Sequence, residues 1–273
     1  MNSNILNIPK CGFGTYKLSG EIAYTSTLNA LHSGYTHIDT ANLYKNEVEI
    51  GKAIKDSGIL RENIWITTKV QIGDIRRGKD AIYDSVVNSL EKLQTGYLDL
   101  VLLHGPTDDV VTSWKALEDI VLGNVEQLKD KVRYIGVSNY EIRHLNILLI
   151  SCRIKPYTNQ IEVSPYMPRI ELVEYCRQKD IIVTAHTSLL KGNKFDDSKL
   201  ENISNRIKIN KPLILLAWAL WHDMIILPRS SNLEHIQENI KSLNVKLVDD
   251  VVKELDEFHK IDTYCTHPQF VDK

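Results

Sequence analysis

Three pieces of one stretch decide the fold: I-W-I-T-T-K at residues 64–69, A-I-Y-D-S-V-V-N-S-L-E-K-L at 81–93, and L-D-L-V-L-L-H at 98–104. The first and third are short runs of apolar and β-branched residues, which read as buried strands. The middle piece carries Ile82, Val86, Leu90 and Leu93 at helical spacing. Strand, one-sided helix and strand together make a parallel strand–helix–strand unit.

The same alternation extends both ways. Further strands are expected at 36–40, 132–137, 158–161, 181–185 and 225–227, with an eighth at 10–14. Helices are expected at 47–57, 114–129, 140–151, 169–179, 212–221, 233–240 and 248–258. Gly58 supplies a stop for the first of these, and Pro212 sits where a first helical turn tolerates proline. Eight strand–helix units in a chain of this length predict an α/β protein, a (β/α)8 TIM barrel forming a single domain over 1–273, with a short N-terminal strand. The rival is a doubly wound open sheet. No linker, low-complexity tract or internal repeat beyond the alternation divides the chain.

Composition agrees. The chain has 273 residues, 43% hydrophobic and 25% charged, which excludes dominant disorder. Lys plus Arg is 33 and Asp plus Glu is 35, so the net charge of −2 gives no global pull toward nucleic acid or an anionic membrane. The opening residues hold no long apolar core, and the longest apolar candidate, 212–227, is broken by His222 and Asp223. The expectation is a cytoplasmic protein without a secretory signal or membrane span. Cys11, Cys152, Cys176 and Cys265 are far apart and form no C-x-x-C, so buried thiols in a reducing compartment are expected, and no metal site.

In a parallel barrel the chemistry lies at the C-terminal ends of the strands. Those ends carry Asp39, Lys69, His104, Ser138 with Asn139, Gln160, His186, and Arg229 with Ser230. Taken singly, an Asp is a helix cap, a Lys a solvated charge and a His a structural residue. Taken together they would converge on one rim. The glycine pair in G-F-G-T-Y-K is not a dinucleotide fingerprint, because Lys17 stands where the third glycine belongs. P-loop, zincin and nucleophile-elbow motifs are absent.

The residues quoted so far, in order, resemble the aldo-keto reductase family, and the compact length resembles its short microbial, diketogluconate-reductase-like branch. The resemblance rests on G-F-G-T-Y at 12–16, G-Y-T-H-I-D-T-A-N-L-Y-K-N-E at 34–47, T-T-K at 67–69, L-V-L-L-H at 100–104, I-G-V-S-N at 135–139, N-Q-I-E at 159–162 and L-P-R-S-S-N at 227–232. It implies reduction of an aldehyde or ketone by NADPH, with NADH as the alternative. Tyr44 would be the proton donor, Lys69 would lower its pKa, Asp39 would hold Lys69 charged, and His104 would orient the carbonyl. Ser138, Asn139 and Gln160 would bind the nicotinamide carboxamide. Gly14, Thr15, His186, Thr187 and Leu189 would complete the cofactor site. Arg229, Ser230 and His235 would lie near the 2′-phosphate, with Glu238 and Asn239 near the adenine.

Some matched positions depart from the family. His186 replaces a stacking tyrosine, His235 an arginine, and Thr187–Ser188 a Ser-Pro pair. Gly105 replaces the tryptophan that follows the catalytic histidine in many relatives, which implies a wider or more polar pocket walled by Tyr16 and Leu43. The family's tail often folds over the barrel mouth; here the tail holds Tyr264, Cys265, His267 and Phe270. The expected partner is a small carbonyl compound, and the expected state a monomer. A cofactor-binding regulatory protein on the same fold is the alternative. A phosphate-ester isomerase is a third reading, opposed by the absence of glycine from 227–232.

Overall fold

The computed structural model describes residues 8–266. Its strands are β1 (Phe13–Gly14), β2 (His37–Asp39), β3 (Trp65–Val70), β4 (Leu98–Leu103), β5 (Val132–Ser138), β6 (Thr158–Glu162), β7 (Ile182–His186) and β8 (Ile225–Ile226). They form one eight-stranded sheet in the order β1 to β8, and each neighbouring pair is parallel. A doubly wound sheet reverses its order at a switch point. This sheet has no reversal, so the rival reading falls. Residues flanking the outer strands also meet. Cys11 and Ile226 make a parallel bridge, Gly12 N donates to Ile226 O at 2.8 Å, and Ile226 N donates to Lys10 O at 2.9 Å. Only a glycine fits at 12: a Cβ there would lie 2.5 Å from His37 Nδ1.

Alternate residues of a strand face opposite sides, and the two faces bury different cores. Ile66, Val101, Ile135, Ile161 and Val183 join the large core beneath the helices. On the other face, Trp65, Leu100, Leu102 and Ile225 pack with Ile8 in a second core, flanked by Tyr134, Tyr157 and Ile182. Trp65 stacks on Tyr134 at 5.4 Å and on Tyr157 at 6.0 Å. A threonine layer follows, in which Thr158 and Thr184 share a hydrogen bond of 2.8 Å and Thr67 bonds His37 at 3.0 Å. Counting up by two from Trp65 through Thr67 leads to Lys69. The polar strand ends therefore cap a column that is aromatic at its foot.

Most expected helices stand within a residue or two of their predicted bounds: Glu47–Asp56, Lys79–Lys92, Ile142–Ser151, Ile170–Gln178, Lys211–Trp221 and Leu233–Asn239. Four differences remain. The helix expected at 114–129 is Val110–Val121: Asp109 caps it early by accepting from Thr112 N, and Gly123 at φ 75° lies just past its end. The helix expected at 248–258 is split into Asp249–Asp256 and Phe258–Ile261. The strand expected at 10–14 keeps ladder pairing only at Phe13–Gly14. Finally, Gly20–His32, Ile72–Arg77 and Ser198–Ile207 are helices the apolar pattern did not reveal. The first buries Ala23, Ser26, Thr27, Ala30 and Leu31, a face of small and hydroxyl residues with little apolar periodicity.

The tail lies against the end of β6. Thr266 N donates to Glu162 Oε1 at 2.7 Å and Tyr264 N to Tyr166 O at 3.2 Å. His267 and Phe270 lie outside the described residues. Among the described residues no helix is long and apolar enough to cross a membrane. Cys11 and Cys176 are buried, and Cys152 and Cys265 partly so. Burial pushes the Cys11 thiol up to about 12 and the Cys176 thiol to about 11, so neither is a ready nucleophile.

Candidate active site

The strand ends converge on one bonded network. Asp39 ends β2 and Lys69 lies one residue before the end of β3, and their side chains are 5% and 0% exposed. Lys69 Nζ donates to Asp39 Oδ1 at 2.5 Å and to Thr40 O at 2.8 Å. From across the sheet, Gln160 Nε2 donates to the other carboxylate oxygen, Asp39 Oδ2, at 2.8 Å. The buried charge pair is thus satisfied on both sides of the carboxylate.

The second half of the network joins β4, β5 and β7. Ser138 Oγ donates to Gln160 O at 2.9 Å. Asn139, held at φ 60°, turns its amide so that Nδ2 donates to His104 O at 3.0 Å and to Ser138 Oγ at 3.1 Å. His186 Nε2 faces Asn139 Oδ1 at 3.2 Å, and its Nδ1 faces Thr187 Oγ1 at 2.9 Å. Asp39, Lys69, His104, Ser138, Asn139, Gln160, His186 and Thr187 therefore form one assembly.

Two tyrosines close over it. Tyr44 ends a short 3-10 turn, Asn42–Tyr44. The Lys69 ammonium lies 5.1 Å from its ring centroid, and the His104 ring meets it edge-on at 5.7 Å. Tyr16, 41% exposed, packs on Tyr44 at 5.1 Å, while Leu43 is 51% exposed on the rim. Gly105 follows His104 directly and is buried.

The sequence reading passed over Asn46, although it lies inside the quoted 34–47 segment. Its buried amide donates to Thr15 O and Leu18 O, both at 2.9 Å, and accepts from Thr40 Oγ1 at 2.9 Å. It therefore ties the loop that carries Tyr44 to the loop that carries Tyr16. The fully buried Thr15 reinforces this tie: its N–H and hydroxyl both donate to Asp39 O at 3.0 Å.

The remaining expected cofactor residues lie near β8. Gly14 N donates to Pro228 O at 3.0 Å, and a Cβ on Gly14 would come 3.6 Å from Arg229 Cβ. Arg229 and His235 are exposed, and Ser230 is half-exposed, accepting from Asn232 N at 3.0 Å. Asn232 caps the helix Leu233–Asn239 by accepting from His235 N at 3.1 Å. Glu238 accepts from Asn210, Asn239 is buried, and Leu189 is half-buried after β7.

Electrostatics correct one expectation. The resemblance implies that Lys69 lowers the pKa of Tyr44. Instead burial holds the phenol well above its ordinary value of 10, and the negative charge of Asp39 and then Tyr16 add to that rise. The carboxylate beside Lys69 offsets much of the ammonium's field. Burial also draws Lys69 below its usual range, against the opposing pull of Asp39. His104 is pushed down to about 3 by burial, then by the positive charge of Lys69 and by His186, so its imidazole is neutral near pH 7. Its Nδ1 is buried with no hydrogen-bond partner among the described residues. A buried bare N–H is costlier and rarer than a buried bare lone pair, so the proton belongs on Nε2.

Comparison with known proteins follows the same line. The profile of the aldo/keto reductase family matches residues 10–260. The glyoxal reductase of Bacillus subtilis is 35% identical over 268 residues, covering 97% of this chain and 94% of the relative. The 9,11-endoperoxide prostaglandin H2 reductase of Trypanosoma cruzi is 34% identical over 262 residues, covering 94% and 90%. A methylglyoxal reductase of Escherichia coli is 33% identical over 260 residues, covering 93% and 90%. Among solved structures, an aldo-keto reductase from a deep-sea metagenome library superposes with a TM-score of 0.90 at 29% identity, covering 99% of this chain and 98% of the other.

Proposed function

The chain belongs to the aldo/keto reductase family and is an NAD(P)H-dependent oxidoreductase; on that premise we propose that it reduces a small aldehyde or ketone to the alcohol, with NADPH as reductant and Tyr44 as proton donor. The observation that carries this reading is the cluster of Asp39, Lys69, Tyr44 and His104 at the strand ends. The fold reading it rests on is a (β/α)8 barrel, supported by the bridge between Cys11 and Ile226. A single domain, a monomer and a reducing, cytoplasmic setting complete the proposal, the last resting on cysteines that are far apart in sequence and form no C-x-x-C.

The network's unused hydrogen-bonding capacity suits a nicotinamide carboxamide. Gln160 retains one amide N–H and its carbonyl oxygen, and Asn139 retains a lone pair on Oδ1. Gln160 would donate to the carboxamide oxygen and, with Asn139, accept from its nitrogen. Arg229, exposed beside Gly14, would take the 2′-phosphate. When bound, the cofactor supplies a hydride to the carbonyl carbon.

The chain's own groups handle the oxygen. His104, neutral and protonated on Nε2, donates to the carbonyl oxygen and polarises it. Tyr44 keeps its proton in the resting protein because burial disfavours the phenolate. An alkoxide is a stronger base than a phenolate, so the proton moves from Tyr44 Oη to the new alkoxide oxygen as hydride arrives. The Lys69 ammonium then stabilises the phenolate left behind. With glycine at 105, the wall beside His104 is low, and Tyr16 and Leu43 supply the apolar contact. Oxidation of NADPH by small dicarbonyls and by aromatic aldehydes, each measured against NADH, tests the reading. Turnover of neither class, with no cofactor binding, would overturn it.

A further inference from the structure

The bond directions in the network fix a proton that no general argument about histidine would place. His104 O is a carbonyl and can only accept, so the atom of Asn139 that faces it at 3.0 Å must be the amide nitrogen. The same nitrogen reaches Ser138 Oγ at 3.1 Å, and Ser138 can accept because its own proton goes to Gln160 O at 2.9 Å. Both hydrogens of the Asn139 amide are thereby assigned, and the amide cannot be reversed without setting two carbonyl oxygens against each other. Asn139 Oδ1 is left facing His186 Nε2 at 3.2 Å, where it can only accept. His186 must therefore carry its proton on Nε2. On its other side, Nδ1 lies 2.9 Å from the Thr187 hydroxyl, which can turn to donate or accept and so leaves the Nε2 assignment undisturbed.

We infer that His186 is a positioning residue of this reductase: its Nε2–H fixes the amide of Asn139, and through it the backbone carbonyl of His104 and the hydroxyl of Ser138. This rests on the proposed reaction only in that Asn139 and Ser138 flank the nicotinamide seat. The tautomer itself is a property of the free protein. His186 ends β7 and His104 directly follows β4, so Asn139 is the piece that keeps two distant strand ends in register. Without the donor, Asn139 Oδ1 is left unpaired in a largely buried setting, Asn139 itself being 7% exposed. An amide in that position reorients toward other donors.

The test begins with the full chain labelled with 15N in its histidine rings and free of cofactor. The His186 resonance, assigned by its loss in a His186→Leu protein, is expected to show a protonated Nε2. A proton on Nδ1 with Nε2 bare would overturn the inference whether or not the protein is a reductase. The second measurement compares His186→Leu with His186→Gln, whose amide nitrogen stands where Nε2 stood. NADPH binding, followed by quenching of protein fluorescence, is expected to weaken about tenfold in the leucine variant, the size of one hydrogen bond. The glutamine variant is expected to stay within about twofold of the parent. Equal losses in both variants, or loss in neither, would contradict a donor role. Failure of the parent protein itself to bind NADPH would instead count against the proposed function, leaving the tautomer result standing.

Discussion

Replacing Lys69 by methionine isolates the buried charge pair at the centre of the site. Methionine fills much of the lysine stem's volume, so the change removes the ammonium and little packing. The pair is 2.5 Å apart, with side chains 0% and 5% exposed, so neither charge has water to fall back on. In the variant the Asp39 carboxylate keeps only the Gln160 amide, and Thr40 O loses its donor. Breaking a buried pair from one side costs about 3–5 kcal/mol, a large share of the 5–15 kcal/mol typical of a folded domain. Removing both charges, in Asp39→Asn with Lys69→Met, leaves no bare charge, and stability is expected to return to within about 1–2 kcal/mol of the parent. Turnover is expected to stay lost in the double variant, because the chemistry needs the ammonium that the fold does not. Urea unfolding followed by tryptophan fluorescence, run beside an NADPH oxidation assay, reads both quantities. A single variant as stable as the parent, or a double variant no better than the single, would refute the reasoning.

Other consequences are equally direct. His37 is fully buried and held to about 4, against 6.5 in an unfolded chain. Below pH 6.5 the unfolded chain binds the extra proton and the folded one does not, so stability is full above 6.5 and falls as pH drops toward about 4. At pH 5 the loss from this residue is about 2 kcal/mol, and His37→Gln should flatten that slope in urea unfolding at pH 7 and 5. Arg229→Ala should lower the NADPH-to-NADH ratio of kcat/KM by about tenfold to a hundredfold, the range of a charge-assisted bond to phosphate. Gly105→Trp should shift kcat/KM from bulky toward small aldehydes, and an unchanged ratio across an aldehyde panel would count against an open wall there. Gly51→Ala would set a Cβ 2.6 Å from the backbone of Leu93. It should cost about 1–3 kcal/mol in thermal or urea unfolding.

Much of this architecture could be read from local pattern. The buried runs at 64–69 and 98–103 named strands, and the polar residues at their ends named the rim. Helices with a clear apolar stripe were visible for the same reason. Gly20–His32 was not, because its buried face is alanine, serine and threonine apart from Leu31 and lacks an apolar stripe in sequence. The site divides in a similar way. Residue type at strand ends brought out Asp39, Lys69 and His104, since polar groups closing buried strands share one rim. Asn46 was hidden because its work is done through backbone carbonyls of distant loops, which leave no trace in residue type. The state of Tyr44 was also beyond sequence: the family resemblance implied a pKa lowered by Lys69, while burial and Asp39, known only from coordinates, drive it upward.

The central claim is that Tyr44 gives the proton that completes carbonyl reduction. Its most direct test is Tyr44→Phe, which keeps the ring against Tyr16 and His104 and removes only the hydroxyl. Cofactor affinity is measured by fluorescence quenching and turnover by oxidation of NADPH with a reactive aromatic aldehyde. NADPH affinity is expected within about twofold of the parent and kcat lower by about 10²–10⁴, the range of general acid catalysis. A phenylalanine variant that turns over at the parent rate would contradict it.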